Sequence, residues 1–340
     1  MNLSPDLVLK CLLATLPIVL FLLALIYLDS YKLVGLPAVL ANVGAGVAAA
    51  MAAFWVNSWI LTGLQWDAAS YTRYGSPVIE EVFKSLFLLY LIRTRRAGFL
   101  VDAAIYGFAI GAGFALAENL YYLKSRPEAD LPVWLIRGFG TATMHGCATA
   151  LFGIVSKLLT EVRSSVQIGV FLPGLAAAMV AHSVHNHFVI PPLLSTAAIM
   201  VFFPALVILV YWRSERSLQQ WLGVGFDADM ELLKLINSGK LSSSRVGIYL
   251  QSLMKSFRGE VVADMLCYLR IQVELAMRAK GAFLMQKSGY AICPDPEIRD
   301  KFEELRYLER QIGKTGKQAV APFVHTRSHD LWQLYKLAAR

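Results

Sequence analysis

Two adjacent glutamates and a lysine, within an otherwise apolar stretch, are the first residues of the sequence that suggest chemistry. Glu80 and Glu81 are followed by Lys84, which lies four and three residues further along. On a helix this spacing places the amine beside at least one of the carboxylates. A partly buried carboxylate can take a proton from water, which begins a hydrolysis reaction. The three residues therefore predict a hydrolytic site, with Lys84 in a supporting role.

Three further ionisable residues could complete such a site. Glu118, His145 and His182 each lie within another apolar stretch. One carboxylate and two imidazoles form a plausible zinc set, but the imidazoles could instead orient water or donate a proton to a leaving amine. The sequence contains no HExxH motif, which excludes a zincin-type site. The residue types alone leave a metal-bound and a metal-free hydrolase both open.

Three polar residues are predicted to assist. Asn186 lies four residues after His182, so the two share a helix face, and its amide could donate to a developing oxyanion. Arg137 lies eight residues before His145 and is predicted to share a face with it. Asn119 lies at the end of the same apolar stretch as the third carboxylate. We assign supporting roles to Asn119 and Arg137.

The scarcity of charge elsewhere indicates where these residues lie. Hydrophobic residues make up 56% of the chain and charged residues only 16%, whereas about 25% charged is usual in soluble domains. Residues 1–212 carry 22 charged side chains, and residues 213–340 carry 34. The first part therefore has the composition of a membrane protein and the second that of a soluble domain. A wholly soluble enzyme, a disordered chain and a fibrous repeat are excluded.

The apolar runs predict an all-α fold, a polytopic membrane helix bundle of about seven transmembrane helices. Each run is near the roughly 20 residues that cross a bilayer. The third is the weakest, because it contains the two glutamates and the lysine. We assign 1–212 to a transmembrane core that holds the site and 213–340 to a small C-terminal helical soluble domain. The predicted spans are 9–28, 35–57, 76–92, 99–123, 133–158, 167–189 and 193–212.

Glycines in the fourth predicted span indicate close helix packing. Gly107, Gly111 and Gly113 form a surface of small residues that lets a neighbouring helix approach. Such an approach would bring Glu118 next to the third or the fifth span.

The distribution of Lys and Arg predicts the orientation of the chain. The strongest short basic cluster is Arg93, Arg95 and Arg96, after the third span, so this loop and the C-terminal domain are expected to be cytoplasmic. Counted from the ends of the spans, the carboxylates and histidines then lie roughly 7–18 Å deep in the same outer half of the bilayer. This predicts one water-accessible cavity that opens to the outer face.

The C-terminal residues 213–340 carry a net charge of +6 and contain no nucleic-acid-binding motif. Helical spacing is evident around 260–280 and 296–311. A positive domain beside a membrane suits contact with anionic lipid headgroups, and it could also bind a cytoplasmic partner. We predict no nucleic-acid partner.

In their types and order, these residues resemble a known family, the PrsW intramembrane proteases. The similarity covers about residues 76–189 and extends more loosely to CAAX-type prenyl proteases and bacteriocin-processing enzymes. Nothing in it covers the tail from residue 213 onward. The motifs that carry it are Glu80-Glu81-x-x-Lys84, Asp102-Ala103-x-x-Tyr106-Gly107, Gly113-Phe114-Ala115-x-x-Glu118-Asn119, Arg137 with His145, and His182-x-x-x-Asn186.

The resemblance implies a multi-pass endopeptidase of the bacterial inner membrane that cleaves a single-pass anti-sigma factor near the outer face. The family has been classed as metallopeptidases, whereas its relatives have also been interpreted as glutamate-type proteases. Both mechanisms therefore stay open, and zinc is the cofactor candidate, with Glu118 and the two histidines as its ligands. The site residues that the resemblance implies are Glu80, Glu81, Glu118, His145, His182 and Asn186.

Two other functions fit part of the pattern. A proton-coupled membrane transporter also uses carboxylates and histidines within the membrane, but it would be expected to contain internal repeats, and none is evident in the sequence. A non-catalytic scaffold or sensor would bind a partner through its basic tail. Such a protein would tolerate alanine at the Glu and His positions, whereas an enzyme would not.

Overall fold

The part of the chain that the structure describes is mostly helical. The computed structural model describes residues 5–29, 34–94, 96–163, 166–287 and 296–324, and no strand occurs in these ranges. Arg95, part of the basic cluster, lies outside them. The chain divides into two compact units, Met1–Ser214 and Glu215–Arg340. The predicted all-α class is confirmed.

The first unit is a bundle of α-helices with two π-helical turns. Its helices are α1 Pro5–Leu28, α2 Leu36–Leu64, α3 Ala68–Ser70, α4 Ser76–Arg93, α5 Leu100–Ser125, α6 Leu131–Leu135, α7 Thr143–Arg163, α8 Leu172–Asn186 and α9 Pro192–Asn237. The residues of α9 from Glu215 onward belong to the second unit. The π turns Tyr71–Gly75 and Ile136–Ala142 join α3 to α4 and α6 to α7. Such turns are rare and occur frequently at functional sites.

Several helical stretches of the described chain are long and apolar enough to cross a membrane. They are Pro5–Leu28, Leu36–Leu64, Leu100–Ser125, Leu131–Arg163 and Pro192–Arg216. This finding confirms the polytopic membrane bundle. The predicted spans 76–92 and 167–189 are not among them, because α4 carries four charged side chains and α8 has only 15 residues. The number of seven spans therefore stays a prediction.

Helix α5 lies at the centre of the bundle. In its most apolar 18-residue stretch 89% of the residues are buried, against 22% in the corresponding stretches of α1 and α9. The large exposed apolar side chains of α1 and α9 suit contact with lipid. Helix α5 packs against α1, α2, α4 and α7. A side chain that points inward from α4 or α7 is therefore directed towards α5 and away from lipid.

Glycines in α5 let its neighbours approach the backbone closely. A Cβ atom at Gly111 would lie 2.3 Å from the carbonyl oxygen of His145, and one at Gly107 would lie 2.6 Å from the backbone of α7. A Cβ atom at Gly113 would lie 2.0 Å from the carbonyl oxygen of Val43 in α2. The close packing predicted from these small residues is present, and it brings α7 directly onto α5.

The second unit has its own apolar core. It contains α10 Arg245–Leu253, α11 Gly259–Lys287 and α12 Pro296–Val320, and α12 is broken at Gly313, where φ is 66°. Helices α11 and α12 cover the two stretches of predicted helical spacing. Lys280 and Asp229 form a buried ion pair with an Nζ–Oδ2 distance of 2.6 Å. The core residues include Met265, Tyr268, Leu269, Leu275, Leu305, Leu308 and Ile312.

Candidate active site

Four helices of the first unit direct ionisable side chains towards one another. Helix α4 contributes two glutamates and a lysine, α5 a glutamate, and α7 and α8 a histidine each. Most of these side chains are almost completely buried. Buried ionisable groups within membrane helices usually mark functional sites. The residues are Glu80, Glu81, Lys84, Glu118, His145 and His182.

Glu81 joins the lysine to the histidine of α8. The ammonium group of Lys84, which is completely buried, donates to Oε1 of Glu81. The same oxygen lies 2.8 Å from Nδ1 of His182. Because a carboxylate oxygen only accepts, Nδ1 of His182 carries the hydrogen of this contact.

Glu80 uses only one of its two oxygens. Its Oε1 accepts a hydrogen bond from the hydroxyl of Ser76 and lies 3.5 Å from the amide nitrogen of Asn57. Its Oε2 is buried, has no hydrogen-bond partner among the described residues, and lies 3.9 Å from Nε2 of His182. A buried carboxylate oxygen without a hydrogen bond is costly, so a proton or a cation is expected beside it.

His145 is held through both ring nitrogens. Its Nδ1 lies 3.0 Å from Nζ of Lys84, and its Nε2 lies 3.2 Å from Oε2 of Glu118. The hydrogen of a neutral ring can sit on either nitrogen, and the nitrogen that ligates a metal ion must be free of it. The ring of His145 contacts that of His182 edge-on, with 4.8 Å between centroids. The two histidines are therefore neighbours.

Glu118 is the most exposed carboxylate of the cluster, with 26% of its side chain accessible. Nη2 of Arg137, in the second π turn, lies 3.1 Å from Oε2 of Glu118. The guanidinium also stacks 3.7 Å above the ring of Tyr122, and its Nε donates to Oδ1 of Asn119 over 3.0 Å. Asn119 in turn donates to the carbonyl of Ala14. Arg137 thus contacts Glu118 directly, and Asn119 is linked to it through Arg137.

The cluster fits a metal ion. One ligand atom from each of Glu80, His145 and His182 lies within 4.8 Å of the others. Ligand atoms around tetrahedral zinc are roughly 3.3–3.8 Å apart, so small side-chain rotations would close the set. Oε2 of Glu80, which has no hydrogen-bond partner in the described chain, is available as the carboxylate ligand. The sequence prediction had chosen Glu118 as the carboxylate ligand, but in the structure Arg137 engages Glu118 and Glu80 occupies that place.

Asn186 lies apart from the cluster. Its amide donates to the carbonyl of Thr72 over 2.9 Å, so its predicted role at an oxyanion stays a prediction. His185, the last residue but one of α8, is buried near the hydroxyls of Thr141 and Ser195, at 3.4 Å from each. It belongs to the packing of α8 rather than to the cluster.

The sequence analysis did not select Ser76, Asn57 or Tyr71, although they form a hydrogen-bonded chain to Glu80. Ser76 lies four residues before Glu80, and this spacing could have identified it. No local signal connects Asn57 and Tyr71 to that carboxylate, because they reach it through the packing of α2 against α4.

Fold and site together define a multi-pass membrane protein with a buried centre of carboxylates and imidazoles. A family model described as PrsW family intramembrane metalloprotease matches residues 32–212, and the chain belongs to this family. Searches of the curated proteins and of the solved structures found no match. Family membership favours a membrane protease over the transporter and scaffold alternatives.

Proposed function

We propose that the chain is an endopeptidase that hydrolyses a peptide bond of a single-pass membrane protein within the bilayer. By family resemblance, the substrate is similar to an anti-sigma factor. The observation that carries the proposal is the buried pair of Glu80 Oε2 and His182 Nε2, which lie 3.9 Å apart without a hydrogen bond between them. Buried ionisable groups are costly within a membrane, and they usually mark a functional site.

Glu80, His145 and His182 would hold a divalent cation, and zinc suits this donor set best. When bound, such an ion supplies Lewis-acid chemistry, because it polarises the scissile carbonyl and makes water more acidic. The family description as metalloproteases is consistent with this choice.

Glu81 would orient His182. Its Oε1 accepts the hydrogen of Nδ1 over 2.8 Å, which leaves Nε2 directed at Glu80. Carboxylates that hold a ligating histidine in this way fix its tautomer and raise its basicity. Lys84 balances the charge of Glu81 in this buried position.

Glu118 would move the proton. It is the carboxylate most accessible to water and substrate, and its Oε2 lies 3.2 Å from His145. It is therefore suited to take a proton from the attacking water and to deliver that proton to the nitrogen of the leaving amine. The guanidinium of Arg137, 3.1 Å away, would stabilise the carboxylate whenever it is charged.

We place the protein in the bacterial inner membrane, with the C-terminal unit in the cytoplasm. The support is the basic cluster that includes Arg93 and Arg96, since cytoplasmic loops carry an excess of such residues. The net charge of +6 on residues 213–340 suits contact with anionic lipid or with a cytoplasmic partner.

Proteomics of membrane-protein fragments tests the proposed function. Cells that produce the wild-type chain are compared with cells that produce Glu80→Gln or His182→Ala, at equal amounts in the membrane. Fragments of at least one single-pass protein should be lost in both variants. Glu128→Gln is the matched control, because Glu128 is exposed and outside the cluster. Identical fragment sets in wild type and both site variants would refute the proposal.

A further inference from the structure

We propose that Asn57 and Tyr71 are positioning residues that hold the carboxylate of Glu80 in the orientation needed to bind a cation. The inference rests on the proposed function, in which Glu80 is a ligand. Neither residue belongs to the motifs that carry the family resemblance. Both lie on elements other than α4, Asn57 on α2 and Tyr71 in the first π turn.

Tyr71, Asn57 and Ser76 form a chain of hydrogen bonds in which each residue donates towards Glu80. The hydroxyl of Tyr71 donates to Oδ1 of Asn57 over 2.7 Å. The amide nitrogen of Asn57 lies 3.2 Å from Oγ of Ser76 and 3.5 Å from Oε1 of Glu80, and the hydroxyl of Ser76 also donates to Oε1. Because a carboxylate only accepts, the amide of Asn57 must face Glu80 with its nitrogen.

This chain of donors leaves the two oxygens of Glu80 unequal. Oε1 receives the hydroxyl of Ser76 and faces the Asn57 amide, whereas Oε2 receives no hydrogen bond from the described residues and faces His182. Rotation of the carboxylate would break the hydrogen bond at Oε1. The network therefore keeps one oxygen available at the position where a cation would bind.

The side chain of Tyr71 is fixed by close packing within and beside the π turn. Its side chain is 2% exposed, and its ring packs edge-on against Trp66 with 5.4 Å between centroids. A Cβ atom at Gly75 would lie 2.5 Å from the ring of Tyr71, so only glycine fits there. These contacts fix the phenol on the side of Asn57.

The same turn is tied to the helix that carries His182. The hydroxyl of Ser183 donates to the carbonyl of Arg73 over 2.7 Å, and the amide of Asn186 donates to that of Thr72 over 2.9 Å. One π turn thus contacts α8 and also holds Tyr71 for Glu80. This gives a physical reason for the pairing of Glu80 with His182 across two helices.

Zinc binding to the purified full-length protein in detergent tests the inference. Affinity is measured by competition with a chromogenic chelator, and thermal unfolding is recorded for each variant. Tyr71→Phe removes only the hydroxyl, and Asn57→Ala removes the amide. We expect each to weaken zinc binding about tenfold, as is usual when the partner of a metal ligand is lost. Tyr74→Phe is the matched control, because Tyr74 lies in the same turn and is 59% exposed.

The outcomes separate this inference from the proposed function. If Glu80→Gln weakens zinc binding while Tyr71→Phe and Asn57→Ala bind like the wild type, the positioning role is wrong and the ligand set stands. If wild type and Glu80→Gln bind zinc equally, or neither binds it, the ligand set is wrong and the positioning role falls with it. If Asn57→Ala does not fold, Tyr71→Phe decides, since it preserves the ring and its packing.

Discussion

Removing the charge of Glu81 should destabilise the bundle, because it leaves the buried ammonium group of Lys84 without a counter-charge. Lys84 is completely buried, and Glu81 is its only carboxylate within ion-pair distance in the described chain. Loss of one member of a buried ion pair costs about 3–5 kcal/mol. In Glu81→Gln the amide oxygen can still accept from the ammonium, and the ring of Phe114 stays 4.7 Å from Nζ. We therefore expect the lower end, about 3 kcal/mol.

A second substitution should restore most of this stability. Lys84→Met, combined with Glu81→Gln, removes the unpaired ammonium and keeps a side chain of similar length. The glutamine oxygen can still accept from Nδ1 of His182. Buried ion pairs replaced by apolar residues often leave the free energy of unfolding unchanged, so the double variant should be within about 1 kcal/mol of the wild type.

The free energy of unfolding can be measured by titration with sodium dodecyl sulfate in mixed micelles. Zinc affinity of the double variant should nevertheless remain about 10–100-fold weaker, because Glu81 no longer supplies a charge to His182. The double variant should therefore have nearly the stability of the wild type but a weaker affinity for zinc. Wild-type stability in Glu81→Gln, or a double variant less stable than the single one, would show that the ion pair does not have the role assigned to it.

Two further predictions concern packing and Asn186. Gly46→Ala should lower the thermal unfolding temperature of the purified protein, because the added Cβ would lie 1.9 Å from the carbonyl oxygen of Ile110. Such overpacking costs about 1–3 kcal/mol. Gly44→Ala on the same helix is the control, because a Cβ there would have nothing within 4 Å. Asn186→Ala should slow fragment production less than about tenfold, because the amide of Asn186 donates to the carbonyl of Thr72. Loss of an oxyanion donor lowers kcat about 10²–10³-fold. A loss of that size in Asn186→Ala would show that Asn186 donates to the oxyanion.

Much of the membrane fold could be predicted, because long apolar runs leave few alternatives. The runs at 9–28, 35–57 and 99–123 appear as α1, α2 and α5. The π turns could not be predicted, since their extra residue per turn reflects contacts with other helices rather than local sequence. Helix α8 ends at Asn186 and α9 begins at Pro192, close to the predicted break between 189 and 193.

The site residues were found individually, but their pairing was not. Helix periodicity shows which residues share a face of one helix, as for Glu81 and Lys84. It contains no information on the rotation of α4 relative to α7 and α8, and this rotation makes Glu80 rather than Glu118 the neighbour of both histidines. Contacts across helices require the packing itself.

The polarity of α4 has a consequence for how the protein is made. By insertion scales, each charged residue at a helix centre opposes membrane entry by about 2.5–3.5 kcal/mol, while each Leu, Ile, Phe or Val favours it by about 0.3–0.6. About ten such residues in α4 do not offset its three central ionisable groups. Helix α4 therefore needs its neighbours in order to leave the translocon. His182 is synthesised last among the cluster, so the cluster cannot form before α8 has been made.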